Sequence, residues 1–323
     1  MTHVTIGVLT FRRPDDLAAA LPALLEQAAA AERPDRRVDV LVVDNDPAGS
    51  GRETAAAFDS PRLRYVVEPT PGIAAARNRA LEEAADATFL VFVDDDERPH
   101  AGWLEHLLGT QERTGAAAVA GAVVSAFPGE LDPWVAAGRF FDRRRLSTGT
   151  PIDVAATNNL LLDMAVVRAA GLRFDAAFGL SGGSDTLFTR QLTAGGALMV
   201  WCDEAVVTDE VPAVRVTPDW VLRRAYRSGN SASRVDVVLA AGAWQRARAR
   251  TRALTRGLPR LLGGGLRWSL GVLTARPAHR ARGLRTAARG AGMLTGAFGL
   301  VYQEYRRGAA ASGPASVRTT RAG

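Results

Sequence analysis

Short apolar runs of strand length alternate with stretches of helical period over the first hundred residues. Val4–Leu9 and Val38–Val43 are rich in β-branched residues and read as buried strands, with Leu63–Val67 a third. Between the first two, Pro14 opens a stretch in which Leu17, Leu21, Leu24 and Leu25 share one helical face. Gly72–Ala85 reads as another helix, and Thr88–Val93 as a fourth strand that stops at three consecutive aspartates. A helix over Trp103–Arg113 and a strand over Ala117–Val124 continue the alternation. Strand, helix, strand in this order predicts an α/β fold with a mostly parallel central sheet flanked by helices.

Beyond residue 125 the period is broken at Pro128, Gly129 and Pro133. It resumes with a strand over Asn159–Leu162, a helix near Ala165–Ala170, and the turn Ser181-Gly182-Gly183-Ser184, which opens a helix over Thr186–Thr193. Leu198–Cys202 and Ala205–Val207 read as two short strands, and Trp220–Ser233 as a basic helix. After Val237 the chain is dominated by Arg, Ala, Gly and Leu, and 308–323 has the small, polar, basic composition of a disordered tail. These shifts divide the chain into a domain over 1–236, a basic helical extension over 237–307, and the tail.

With 47% apolar residues among 323, the chain can bury a substantial core, and it resembles neither a disordered chain nor a membrane channel. All 40 basic residues are Arg. The net charge of +6 conceals a division: 1–236 hold 24 Arg against 33 acids, whereas 237–323 hold 16 Arg against Glu304 alone. The single cysteine, Cys202, excludes an internal disulfide and a cysteine-rich zinc site, and its apolar surroundings read as those of a buried, inert thiol. The N terminus lacks the basic start and apolar run of a secretory signal, so the expected location is the cytoplasm or the cytoplasmic face of a membrane.

In open α/β sheets ligands lie beyond the carboxyl ends of the strands. Three polar strand ends fall there: Thr10-Phe11-Arg12-Arg13, Asp44-Asn45-Asp46 and Asp94-Asp95-Asp96. No GxGxxG follows the first strand, and a chain without Lys has no Walker-type phosphate loop. Three adjacent carboxylates repel one another unless a cation neutralises them, and hard oxygen donors suit Mg²⁺ or Mn²⁺. At an extended strand end Asp94 and Asp96 point the same way and Asp95 the other, so the pair two apart is the natural metal-facing pair.

Five segments in order, TFRRPDDL (10–17), VVDND (42–46), TPGIAAARNRAL (70–81), VFVDDDERPHAGWL (91–104) and SGGSDTLFTRQLTAGG (181–196), resemble a family 2 glycosyltransferase of the bacterial exopolysaccharide type. The resemblance covers roughly 3–235 and implies a GT-A fold, with a donor-binding half over about 1–112 and an acceptor half over about 113–236. It implies a nucleoside diphosphate sugar donor contacted by Thr10, Phe11, Arg12, Asp44, Arg77, Asn78, Asp94 and Asp95, and a divalent cation, Mg²⁺ or Mn²⁺, on Asp96 and Asp94. Asp185 takes the position of the family's catalytic base, and Trp103, Gly183 and Ser184 fall on the acceptor side. Other readings stand beside these. Asp44 also suits an ordinary strand-end turn, Arg77 a surface helix position, Trp103 a helix-anchoring core residue, and Asp185 an N-terminal cap.

Two departures from the family pattern stand out. Ser184 replaces an acid before Asp185, and the segment after the last short strand carries no His, leaving Asp209 or Glu210 to complete a metal site. Arg223, Arg224 and Arg227 on the basic helix could reach a diphosphate or form a solvated face. The Leu, Trp and Arg of 244–307 suit an anionic membrane surface better than a nucleic acid, with packing on the domain as the third reading. Together these features predict inverting, metal-dependent transfer to a glycan or lipid-linked acceptor in surface polysaccharide biosynthesis, by an enzyme peripheral on the inner face of the cell membrane. A nucleotidyltransferase and a non-catalytic nucleotide-sugar-binding protein are the rival classes.

Overall fold

The computed structural model describes residues 1–301. Its first half is built on four strands, β1 (Thr2–Thr10), β2 (Arg36–Asp44), β3 (Leu63–Val67) and β4 (Phe89–Asp94), all parallel and ordered β3-β2-β1-β4. Helices α1 (Pro14–Ala31), α2 (Arg52–Ala56) and α3 (Ile73–Glu83) make the crossovers. Pro14 at the first turn of α1 fixes φ where no amide donor is needed, and Asp15 and Asp16 complement the helix dipole there. Thr10 pairs with Asp44 and Leu9 with Asp94, so the carboxyl ends of β1, β2 and β4 finish level with one another. That level edge is where the site forms.

The second half contains β5 (Glu97–Pro99), α4 (Trp103–Thr114), β6 (Ala118–Ala126), α5 (Pro133–Gly138), β7 (Asn159–Asp163), α6 (Met164–Ala169), α7 (Ser184–Ala194) and β8 (Met199–Glu210). The sheet continues β4-β7-β6-β8-β5, with β7 antiparallel to both neighbours and β8 antiparallel to β5. Four of the seven pairings are parallel, so the sheet is mixed beyond β4. The two short strands read from the sequence are one. Asp203-Glu204 interrupts the apolar run, but the chain stays in the sheet and its register against β6 slips between Gly121 and Ala122.

Apolar layers cover both faces. Val4, Ile6 and Val8 pack under Leu17, Leu21, Leu24, Leu104 and Leu107, while Leu90 and Phe92 pack under Ala76, Ala80, Phe174 and Phe188 on the other face. Cys202 is buried in the first layer, and burial raises its thiol above the ordinary range. At the register slip, Asn159 accepts from Trp103 Nε1 at 2.8 Å and donates to the carbonyls of Ala122 at 2.9 Å and Ala205 at 2.8 Å. A Cβ on Gly121 would lie 2.3 Å from the Asn159 amide nitrogen, so only glycine fits beside it.

Three helices complete the chain: α8 (Pro218–Val238), α9 (Ala243–Leu273) and α10 (Pro277–Ala297). The composition change near Val237 coincides with the end of α8. Helices α9 and α10 form an antiparallel hairpin along glycines spaced seven apart, Gly257, Gly264 and Gly271 against Gly283 and Gly290. A Cβ on Gly264 would sit 2.5 Å from the Ala287 amide nitrogen. A second small face of α10 meets α8, where a Cβ on Gly292 would lie 1.9 Å from the Tyr226 carbonyl oxygen. Arg282 donates to the Ala137 carbonyl at 3.1 Å and Arg285 to that of Arg139 at 2.6 Å, tying the hairpin to the end of α5. None of the described helices is long and apolar enough to cross a membrane. Residues 302–307 of the extension and the 308–323 tail lie outside the described residues.

Candidate active site

The level strand ends open into a cleft of about 630 Å³. Its lining includes six carboxylates, Asp94, Asp95, Asp96, Glu97, Asp185 and Asp209, and six guanidiniums, Arg13, Arg77, Arg143, Arg215, Arg224 and Arg227. The first half of the sheet supplies Thr10, Phe11 and Arg13 after β1, Asn45 after β2 and Arg77 from α3. Asp185 comes from the first turn of α7, and Trp220, Arg224 and Arg227 from α8.

The turn from β4 into β5 holds four consecutive acids, and the β5–β8 ladder sets Asp209 opposite Glu97. Asp95 accepts from Thr10 Oγ1 at 2.8 Å and from Arg13 Nη1 at 2.9 Å. Asp96 accepts from Arg13 Nη1 and from Arg215 Nη1, each at 3.0 Å. Arg143 pairs with Asp209, and Glu97 accepts from Asn158 Nδ2 at 2.6 Å. The Asp94 carboxylate, alone of the turn's side chains, accepts no hydrogen bond from the described residues. Burial and then repulsion from Asp96 push Asp94 up to about 7, against the attraction of Arg77. Burial pushes Asp95 up to about 6 despite Arg13, and burial followed by repulsion from Asp94 lifts Glu97 well above the usual carboxylate range. The cations crowd as well, since burial and then Arg143 and Arg227 pull Arg224 down to about 10.

Gly182 and Gly183, with φ of +74° and +95°, turn the chain into α7. Glycine tolerates this left-handed backbone at little cost, and the turn delivers Asp185 to the cleft. Arg77 is held by Ser184 Oγ, which accepts from its Nη1 at 2.7 Å, and lies 5.5 Å from the Phe174 ring centroid. The serine that replaces an acid in the family pattern is therefore the positioning partner of Arg77.

Of the residues singled out in the sequence, Thr10, Phe11, Arg77, Asp94, Asp95, Asp96 and Asp185 converge on the cleft. Six others do not line it. Trp103 is fully enclosed and spends its indole N–H on Asn159, so it takes the core reading of its two. Asp44 is fully buried too. Its carboxylate accepts from the amides of Asp46 at 2.9 Å and Gly51 at 2.7 Å and from Tyr65 Oη at 2.7 Å, the turn-forming role. Asn78 is bonded in both directions to the Phe174 backbone, at 2.9 and 2.8 Å. Ser184 is buried, and Gly183 packs against Ser231. Arg12 reaches outward to Asp46 at 3.2 Å from a left-handed backbone, φ 55°.

A family model described as glycosyl transferase family 2 matches residues 5–171. The chain belongs to this family. It is also 35% identical over 240 residues to ExoM of Rhizobium meliloti (strain 1021), a succinoglycan biosynthesis protein, covering 72% of this chain and 75% of that one. AglE of Haloferax volcanii, a glycosyltransferase, is 26% identical over 209 residues, covering 64% of this chain and 66% of its own. Among solved structures, that of GalNAc-T7 with UDP, GalNAc and Mn²⁺ superposes with a TM-score of 0.52 at 8% identity, over 72% of this chain. The chain spans about half the length of that structure, 51%, and the likeness shows the GT-A fold.

The donor set of this glycosyltransferase suits a hard divalent cation. Asp94 lines the cleft with a carboxylate that accepts no hydrogen bond from the described residues, and the burial and neighbouring carboxylates that raise its proton affinity are what a bound cation would offset. Asp96 and Asp209 are held by guanidinium groups rather than by backbone amides, so a cation would exchange with arginines. Among the described residues no three His, Cys, Asp or Glu side chains already form a ligand cage. Between the two acids left open by the sequence, Asp209 lines the cleft, whereas Glu210 points outward toward Arg98. Arg224 and Arg227 line it as well, but Arg223 pairs with Asp219 along the helix surface.

Sequence reasoning passed over Arg13, Glu97, Arg143, Arg215 and Trp220 as site residues. Arg13 and Glu97 lie inside quoted motifs, each beside a residue that was given a role, a signal that could have found them. Arg143 sits in an irregular segment and Arg215 in a single 3-10 turn, Ala213–Arg215, so neither has a periodicity to announce which way it points.

Proposed function

We propose that this transferase catalyses inverting, metal-dependent transfer of one sugar from a nucleoside diphosphate sugar to a hydroxyl of a glycan or lipid-linked acceptor, in surface polysaccharide biosynthesis. The observation that carries the reading is a single cleft lined at once by the acidic turn after β4, by Asp185 and by six arginines. Kinship with ExoM, named for succinoglycan biosynthesis, supports the pathway class, and the UDP and Mn²⁺ of the GalNAc-T7 structure support the donor and the cation.

In this mechanism Arg77 and Arg224 donate hydrogen bonds to the diphosphate oxygens, their planar forks matching that geometry. Phe11 and Thr10 border the nucleoside. Asp185 accepts the proton of the acceptor hydroxyl as that oxygen bonds to the anomeric carbon. The bond from the anomeric carbon to the diphosphate oxygen breaks, its electron pair leaves on the nucleoside diphosphate, and one displacement inverts the configuration. Asp94, Asp96 and Asp209 would hold Mg²⁺ or Mn²⁺, which when bound supplies Lewis-acid stabilisation of charge on the leaving diphosphate. The enzyme works from the cytoplasmic side, peripheral on the inner face of the cell membrane, without a nucleic-acid partner.

Thermal melting against a panel of nucleoside diphosphate sugars, with and without Mn²⁺, tests this reading. Stabilisation confined to donors of one base and dependent on Mn²⁺ is expected. No stabilisation by any donor in the presence of the metal would contradict it.

A further inference from the structure

The side of α9 opposite its glycine row has no partner among the described residues. At about 100° per residue, Trp244, Leu258, Leu262, Leu266, Leu270 and Leu273 fall within an arc of roughly 120°, facing away from Gly257, Gly264 and Gly271. All six are exposed, Leu266 by 75% and Leu273 by 84%. The five leucines from Leu258 to Leu273 form an apolar ridge beyond the scattered exposure of an ordinary surface helix, and Trp244 lies on the same side beyond Thr251 and Thr255. Arg248 precedes the leucine ridge on the same side, and Arg252, Arg256 and Arg260 step away from it along one flank, four residues apart.

Charge identifies the occupant. From Val237 to Val301 the chain carries twelve arginines and not one acid. A second copy laid on this ridge would bring two arginine rows together with no carboxylate to offset them. A nucleic acid would satisfy the arginines and leave the leucines without a counterpart. An anionic bilayer surface satisfies both, with acyl chains for the ridge and lipid phosphates for the row. We infer that the outer face of α9 is the surface by which this protein docks on an anionic membrane. The inference deepens the membrane placement proposed above, and rests on it.

Docking there also orients the cleft. The hairpin packs through α10 on α8, which supplies Trp220, Arg224 and Arg227 to the cleft, and on α5, which leads into the segment carrying Arg143. The glycine contacts leave no room between α10 and α8 for independent swing. A bilayer bound along α9 therefore holds the cleft at a fixed attitude to the surface on which a lipid-linked acceptor would lie.

The full chain is to be floated with vesicles of equal parts phosphatidylglycerol and phosphatidylcholine, and with vesicles of phosphatidylcholine alone. Flotation is expected with the first and not the second, and is expected to weaken in high salt. The double variant Leu262→Glu/Leu266→Glu changes two exposed positions away from the glycine contacts, and should lose flotation while melting like the unaltered protein. Arg252→Gln/Arg256→Gln/Arg260→Gln should weaken binding on the order of 100-fold. Failure of the unaltered protein to float, or undiminished flotation of both variants, would overturn the inference. So would a dimer in light scattering that the leucine variant converts to monomer in the absence of lipid. Because flotation does not read transfer, a protein that transfers sugar to a water-soluble acceptor but does not float refutes the docking surface alone.

Discussion

Replacing Arg215 by Ala should tighten divalent-cation binding to the nucleotide-free protein, although it removes a residue from the same cleft. Arg215 donates to Asp96 at 3.0 Å, with 31% of its own side chain and 10% of the carboxylate exposed. At an effective dielectric of about 20, two unit charges about 4 Å apart attract by roughly 4 kcal/mol. Solvent screening and the cost of desolvating both groups reduce this to on the order of 1–2 kcal/mol. A cation competing with Arg215 for Asp96 loses that amount, so its removal is worth about tenfold in affinity. Arg13 still holds Asp96 in the variant, which keeps the gain from growing further. Isothermal titration of Mn²⁺ into nucleotide-free protein reads the effect directly. The opposite sign is expected for a nucleoside diphosphate in saturating Mn²⁺, which loses a guanidinium partner and binds more weakly. If Arg215→Ala bound Mn²⁺ no more tightly than the parent, exchange of arginine for metal on Asp96 would be refuted.

Three further outcomes follow from the packing. Gly264→Ala places a methyl 2.5 Å from the Ala287 nitrogen and 2.7 Å from the Gly283 oxygen. Neither backbone atom can yield without parting α9 from α10, so urea denaturation should show a loss of about 1–3 kcal/mol. Asn159→Leu strands the Trp103 N–H and two strand carbonyls in the core. At about 1–3 kcal/mol for each unsatisfied group, chemical denaturation should show a loss of at least about 3 kcal/mol. Burial raises the Cys202 thiol above its ordinary value, so the folded protein retains this proton to higher pH than the unfolded chain does. Its contribution therefore favours folding less as pH rises past the unfolded value. At pH 8 a disulfide reagent should label it only after unfolding.

The donor-side half of the fold was legible because strands buried on both faces leave unbroken apolar runs, and Thr10, Asp44 and Asp94 end theirs visibly. The acidic turn was legible for the same reason, since carboxylates crowded at a strand end demand a partner. What remained hidden depended on register and long-range pairing. No local pattern shows that β5 pairs with β8 so that Asp209 faces Glu97, or that Arg13 and Arg215 meet on one carboxylate. Trp103 looked as suitable for a sugar as for a core, and Asn159, 56 residues away, decided it. The rows of glycine in α9 and α10 were masked by a composition with 32 Gly, in which seven-residue spacing draws no notice. The acidic balance of 1–236 gave a misleading picture of the cleft, where the arginines equal the acids in number.

The central claim is that Asp185 removes the acceptor proton in a cleft that binds the donor without it. The most direct test is the single-turnover transfer rate of Asp185→Asn, measured alongside its affinity for the donor. Unchanged donor affinity is expected, with a transfer rate reduced on the order of 10²–10⁴-fold, the usual contribution of a positioned general base. Transfer at the unaltered rate by a variant that binds donor normally would contradict it.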